Sequence, residues 1–167
     1  MNNTLLAPFS EAEVKRALFQ MHPTKAPGLD GLSALFYQSN WETVGGDVTK
    51  EVLKCLNKGI LNPAINETLI VLILKVSKVE RVDDLPPISL CKVLMKIITK
   101  ALANRLKTIL PNIISPSQSA FIQGRLITDN ILVAHEVSHF IKGRTRQKTG
   151  YLSLKLDLSK AYDRVDW

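Results

Sequence analysis

The stretch "GYLSLKLDLSKAYDRVDW", residues 150–167, alternates Leu152, Leu154, Leu156 and Leu158 with Tyr151, Ser153, Lys155 and Asp157. Side chains of a strand point to opposite faces in turn, so this period of two predicts a strand with one apolar face. Asp157 closes the other face. Ser159 then stands where a helix N-cap belongs, ahead of "KAYDRVDW". A carboxylate leaving a strand just before a turn into a helix is a usual place for a metal ligand. One carboxylate, however, does not make a metal site.

Working outward, the 167 residues suffice for one domain with a hydrophobic core. The composition, 46% hydrophobic and 22% charged, is that of a globular protein, without low-complexity segments or repeats. The net charge of +7 fits a polyanionic partner such as nucleic acid, though basic proteins without one are common. Cys55 and Cys91 match no metal-binding spacing, and two lone cysteines suggest reduced, buried thiols in an intracellular protein. The start, "MNNTLLAPFSEAEVKRAL", turns charged early and does not read as a signal peptide. The longest apolar run, "LIVLIL" at 69–74, is too short to span a bilayer, so no membrane partner is expected.

Ser10 and Glu13 have capping-box spacing, and Phe9 and Val14 that of a hydrophobic staple. They open a helix with Val14, Ala17, Leu18 and Met21 on one face. "HPTKAPGLDG", residues 22–31, reads as a loop. A helical stretch follows from about Leu32 to Lys58, its apolar stripe interrupted at Gly45-Gly46. "NKGILNPAIN" is a turn region, and "TLIVLILKV", residues 68–76, is the strongest strand candidate. After the polar loop "SKVERVDDLPP", a helix is expected from Ser89 to Leu110, stopping at Pro111. Its apolar side is Val93, Leu94, Ile97, Ile98, Ala101, Leu102, Leu106 and Ile109. Lys92, Lys96 and Lys100 lie four apart, a solvated face in preference to a phosphate track. Thr128 or Asp129 would cap a helix to about Ile141, and a basic turn leads to the last strand. The class is α+β, and residues 68–76 are the one obvious potential partner of the terminal strand. Two strands seldom form an independently stable sheet.

"HEVSH", residues 135–139, is a literal H-E-x-x-H, which on a helix sets His135 and His139 one turn apart beside Glu136. A zinc hydrolase needs a third protein ligand. No glutamate follows Glu136, and no third histidine stands at a suitable spacing. Asp157, Asp163 and Asp166 remain the conceivable candidates, so the hydrolase is the distant alternative.

Five stretches in fixed order decide the leading reading: "KAPGLDGLSALFYQSNW", "INETLIVLILK", "PISLCKVLMKIITKALANRLK", "SQSAFIQGRLITDNILVAHE" and "LKLDLSKAYDRVDW". Together they resemble the reverse transcriptase of plant LINE-type, non-LTR retrotransposons, over nearly the whole chain. The resemblance implies a partial right-hand polymerase fold, with helical fingers and the first palm strand, truncated before the rest of palm and thumb. It divides the chain into a helical part of the fingers at 1–66, fingers with a template-facing loop at 67–149, and an incomplete palm at 150–167. It implies that Asp157 is the catalytic metal-binding aspartate, joined by the backbone carbonyl of Leu158, with Mg2+ or Mn2+ as the ion in the intact enzyme. Tyr162 matches the aromatic steric gate against a 2′-hydroxyl, and Lys75 a lysine facing the triphosphate. Gly124 and Arg125 match the segment lying along the template, with Arg125 as its phosphate contact. RNA template, DNA primer and deoxynucleotides are the implied partners, and nucleus or cytoplasm the implied location.

The departures carry expectations too. Pro86 stands where the family has a triphosphate-clamping arginine, Leu74 where a proline precedes the lysine, and Leu29 where "KAPGLDG" would have proline. The partner carboxylates of the family's Ala-Asp-Asp box do not occur within residues 1–167. Asp83-Asp84 is an adjacent acidic pair but precedes Asp157 and lies beside prolines. The expectation is a fragment, from a decayed copy or a broken reading frame, that is inactive alone and binds no metal stably. A non-enzymatic basic remnant that binds nucleic acid is the alternative.

Overall fold

A computed structural model describes residues 2–74, 78–144 and 150–156. These fall into two compact units, residues 1–110 and 111–167. In the first, α1 (Asn2–Leu6) precedes α2 (Glu11–Phe19), whose start is fixed by the expected capping box. The Glu13 carboxylate accepts from the Ser10 N–H at 2.9 Å and from its hydroxyl at 3.0 Å. Asn57 secures the preceding residue from both sides, accepting from the Phe9 N–H at 2.7 Å and donating to its carbonyl at 3.1 Å.

The expected 32–58 helix is two helices, α3 (Ala34–Ser39) and α4 (Trp41–Lys58). The break lies at Asn40, and α4 runs unbroken through Gly45-Gly46, where only the apolar stripe was expected to be interrupted. Gly45 has a packing reason: a Cβ there would come within 2.8 Å of the Trp41 indole. The αL residue Gly59 closes α4, its N–H reaching the Cys55 carbonyl. The turn region then contains one short helix, α5 (Pro63–Asn66), capped by the Asn62 side chain on the Ala64 N–H at 3.0 Å.

The largest correction concerns residues 87–91. Strand β1 (Thr68–Leu72) pairs antiparallel with β2 (Pro87–Cys91), in the register Thr68↔Cys91 to Leu72↔Pro87. Ser89–Cys91, expected in a helix, therefore belong to a strand. Proline cannot supply a ladder N–H, which suits Pro87 to a strand end. Helix α6 (Val93–Lys107) starts two residues beyond the strand. Among the described residues β1 pairs only with β2, and residues 150–156 carry no strand; the rest of the expected terminal strand lies outside the described residues.

Val14, Ala17 and Leu18 of α2, Tyr37 of α3, Trp41, Val48 and Val52 of α4, and Val93, Ile97, Ile98 and Ala101 of α6 form one buried core. Leu102 and Leu106, expected on that side of α6, are about half exposed, at 49% and 47%. At 3.6 residues per turn they sit roughly 100° and 140° round from the middle of the buried stripe.

In the second unit, α7 (Leu110–Ile113) overlaps the boundary, and a loop leads to α8 (Ile127–Gly143). The cap position of α8 is Leu126, not Thr128 or Asp129, which lie inside its first turn. There Asp129 complements the positive end of the helix dipole. No helix of the described residues is long and apolar enough to cross a membrane.

Candidate nucleotide and template interface

Strand β1 of the hairpin ends three residues before Lys75 in the sequence. Its ladder extends one step past the strands, with the Ile73 N–H donating to the Pro86 carbonyl at 3.1 Å. Position 86 thus lies across from Ile73, two residues before Lys75, at the far end of the hairpin. Lys75 itself lies outside the described residues. The hairpin therefore sets position 86, where the resemblance implies an arginine, opposite Ile73. Proline at 86 offers neither a charge nor a donor there.

The opposite end of the hairpin is strongly tied. Lys92, just after β2, donates through Nζ to the Ala64 carbonyl at 2.5 Å and to Glu67 Oε2 at 2.7 Å, immediately before β1. Lys96 Nζ donates to the Ala26 carbonyl at 2.8 Å. Two members of the lysine row thus hold backbone segments in place instead of forming a solvated face.

Arg125 has an equally specific environment. Its Nη1 donates to the carbonyls of Ser115 and Gln118, the latter at 2.6 Å. Its Nη2 reaches those of Ile114 at 3.3 Å and Pro111 at 3.5 Å. Gly124, at φ +82°, makes the turn before it in a conformation open to glycine and costly for other residues. Phe121, at φ 64°, occupies the same region, and its ring is exposed. A guanidinium spread over four carbonyls organises the loop from 111 to 125. Nothing in the sequence pattern announced that role.

The other expected site residues, Asp157, Leu158 and Tyr162, lie outside the described residues. Their donor set can still be tested chemically. A carboxylate and a backbone carbonyl are hard oxygen ligands, which suit Mg2+ or Mn2+. Among the described residues no group of three or more His, Cys, Asp or Glu side chains could hold a metal ion. His135, Glu136 and His139 are exposed along α8.

Residues 75–167 match the family model for reverse transcriptase (RNA-dependent DNA polymerase). The chain belongs to the reverse transcriptase family. The match starts at Lys75 and takes in Gly124, Arg125, Asp157 and Tyr162. The chain is also 36% identical over 162 residues to the "Transposon TX1 uncharacterized 149 kDa protein" of Xenopus laevis. That alignment covers 97% of this chain and 12% of the relative's length. The mixed helical and antiparallel architecture is consistent with part of a reverse transcriptase domain. Residues 1–74 precede the family-model match, yet the transposon relative extends the likeness into them.

Proposed function

We propose that this chain is the fingers and opening palm segment of an RNA-directed DNA polymerase from a non-LTR retrotransposon of the LINE type found in plants. The observation that carries the reading is the family match from Lys75 to Trp167. Lys75 faces the triphosphate of an incoming deoxynucleotide. Asp157 and the Leu158 carbonyl hold Mg2+ or Mn2+, supplying the charge neutralisation that phosphoryl transfer requires. Tyr162 sits under the sugar and excludes a 2′-hydroxyl. The loop closed by Gly124 and Arg125 lies along the template strand, with Arg125 acting through the loop's shape. RNA template and DNA primer are the partners of the intact enzyme.

The test is to join residues 1–167 to the remaining residues of a related reverse transcriptase, with arginine at position 86. Primer extension on an RNA template is expected, lost on Asp157→Asn and opened to ribonucleotides by Tyr162→Ala. Extension that survives Asp157→Asn would refute the assignment. The net charge of +7 supports a second reading, a basic segment that binds nucleic acid without catalysis. It predicts RNA binding by the joined protein without extension.

A further inference from the structure

The "KAPGLDG" loop has no role in the chemistry above, yet it meets the hairpin where both strands are rooted. Gly28 is buried against the end of β2. A Cβ there would stand 2.6 Å from Lys92 N and 2.8 Å from Cys91 C and Lys92 Cα. These are backbone atoms, so no side-chain rotation could relieve the overlap. The conflict is steric, since Gly28 is not among the positive-φ residues. Two residues earlier, the Ala26 carbonyl accepts from Lys96 Nζ. Lys92, whose backbone Gly28 touches, reaches with its side chain to Ala64 and Glu67 ahead of β1. Thr68 and Cys91, the first register pair, complete the junction, with Oγ1 3.7 Å from Sγ.

Loop, β1, β2 and α6 therefore converge on Cys91–Lys92. Beyond this root the hairpin has little support from its faces: Ile70 is 63% exposed and Leu72 54%. The direction of such an arm is set at its base, and its far end carries Pro86 and Ile73, the latter two residues before Lys75 in the sequence. We propose that Gly28 is the positioning residue of the hairpin: the glycine lets the 25–28 loop seat directly on the β2–α6 backbone, and Lys96 latches it there. Its meaning for nucleotide binding rests on the function proposed above; the latch itself does not.

Hydrogen exchange on the 167-residue chain tests the latch. Gly28→Ala is expected to speed exchange at the amides of Leu69–Leu72 and Ile88–Leu90 by about tenfold or more, while Val14 and Val52 in the core change less than about twofold. Lys96→Met should act in the same direction and Lys96→Arg should restore protection, which keeps the test informative if Gly28→Ala does not fold. Equal loosening of hairpin and core, or an unchanged hairpin in both Gly28→Ala and Lys96→Met, would overturn the latch. Labelling of Lys75 by pyridoxal phosphate, with inorganic tripolyphosphate as competitor, separates the two ideas. Protection that weakens in Gly28→Ala supports both. A loosened hairpin without tripolyphosphate protection in the parent chain upholds the latch and counts against the triphosphate reading.

Discussion

Arg105 Nε lies 2.7 Å from Glu13 Oε1, and its Nη2 lies 3.0 Å from Oε2, joining α6 to α2 across 92 positions of sequence. The same guanidinium donates to the carbonyls of Leu5, Ala7 and Pro8 and stacks 3.4 Å from the centre of the Phe9 ring. One side chain thus fixes the approach to α2 and its first turn against α6. Arg105→Met would leave a partly buried carboxylate and three carbonyls without this partner. Loss of a charged, hydrogen-bonded partner costs about 2–4 kcal/mol. Lysine cannot reproduce the fork, so Arg105→Lys should recover less than half of the loss in urea unfolding.

The pair also carries a pH dependence. The Arg105 hydrogen bond, joined by bonds from Ser10, holds the Glu13 carboxyl at about 2 against the opposing effect of burial. The folded pKa is below its ordinary value of 4.5, so the stabilisation is present above that value and is lost as pH falls towards 2. Glu13→Gln should therefore be less stable than the parent chain at pH 6, with the gap narrowing as pH falls below 4.5. Urea melts at pH 6, 4 and 3 measure it; a constant gap would remove the ion pair as its cause.

Arg125 allows a sharper distinction. An arginine that contacts phosphate contributes about one unit to the slope of log affinity against log salt. One that braces a loop contributes to the loop's protection from proteases. Binding of labelled single-stranded RNA to the 167-residue chain is expected to weaken steeply with salt. Arg125→Ala should leave that slope nearly unchanged while cleavage within 114–125 accelerates. A slope reduced by one, with no change in cleavage, would return Arg125 to direct phosphate contact.

What the sequence made legible was what local chemistry determines. The Ser10–Glu13 cap, the apolar face of α2 and the strand at Thr68–Leu72 all rest on neighbours within a few residues. The β2 strand was missed because Ile88 and Leu90 run straight into Val93 and Leu94, and a short apolar run before a helix reads as part of it. The seat of Gly28, the anchoring by Lys92 and Lys96, and the four carbonyls around Arg125 depend on where backbone from elsewhere arrives. No periodicity encodes that. Of the proposed site, the family resemblance suggested Lys75, Asp157 and Tyr162 by motif, and the hairpin added the placement of position 86 opposite Ile73.

The "HEVSH" motif is expected to hold no stoichiometric zinc. His135 and His139 are exposed on α8, and among the described residues no third His, Cys, Asp or Glu joins them to make the set that a catalytic zinc needs. Metal analysis of chain purified without chelator should find well under one zinc per molecule. A tight one-to-one complex abolished by His139→Ala would reopen the hydrolase reading.

Residues 1–167 by themselves are expected to extend no primer, and Pro86→Arg is expected to change nothing in that assay. Phosphoryl transfer of this kind needs several carboxylates around its metal ions. On the proposed reading Asp157 supplies one, and the 167 residues contain no Ala-Asp-Asp box to supply more. Arginine at 86 would add a triphosphate contact at the end of the hairpin, beside Ile73, yet a cation cannot substitute for a metal ligand. The same reasoning makes Asp157→Asn silent in the 167-residue chain and decisive once the chain is joined to the rest of a related enzyme. The measurement is extension by the purified chain with magnesium, an RNA template and all four deoxynucleotides. Template-dependent product that disappears with Asp157→Asn would show that residues 1–167 assemble a working metal site without the later carboxylates.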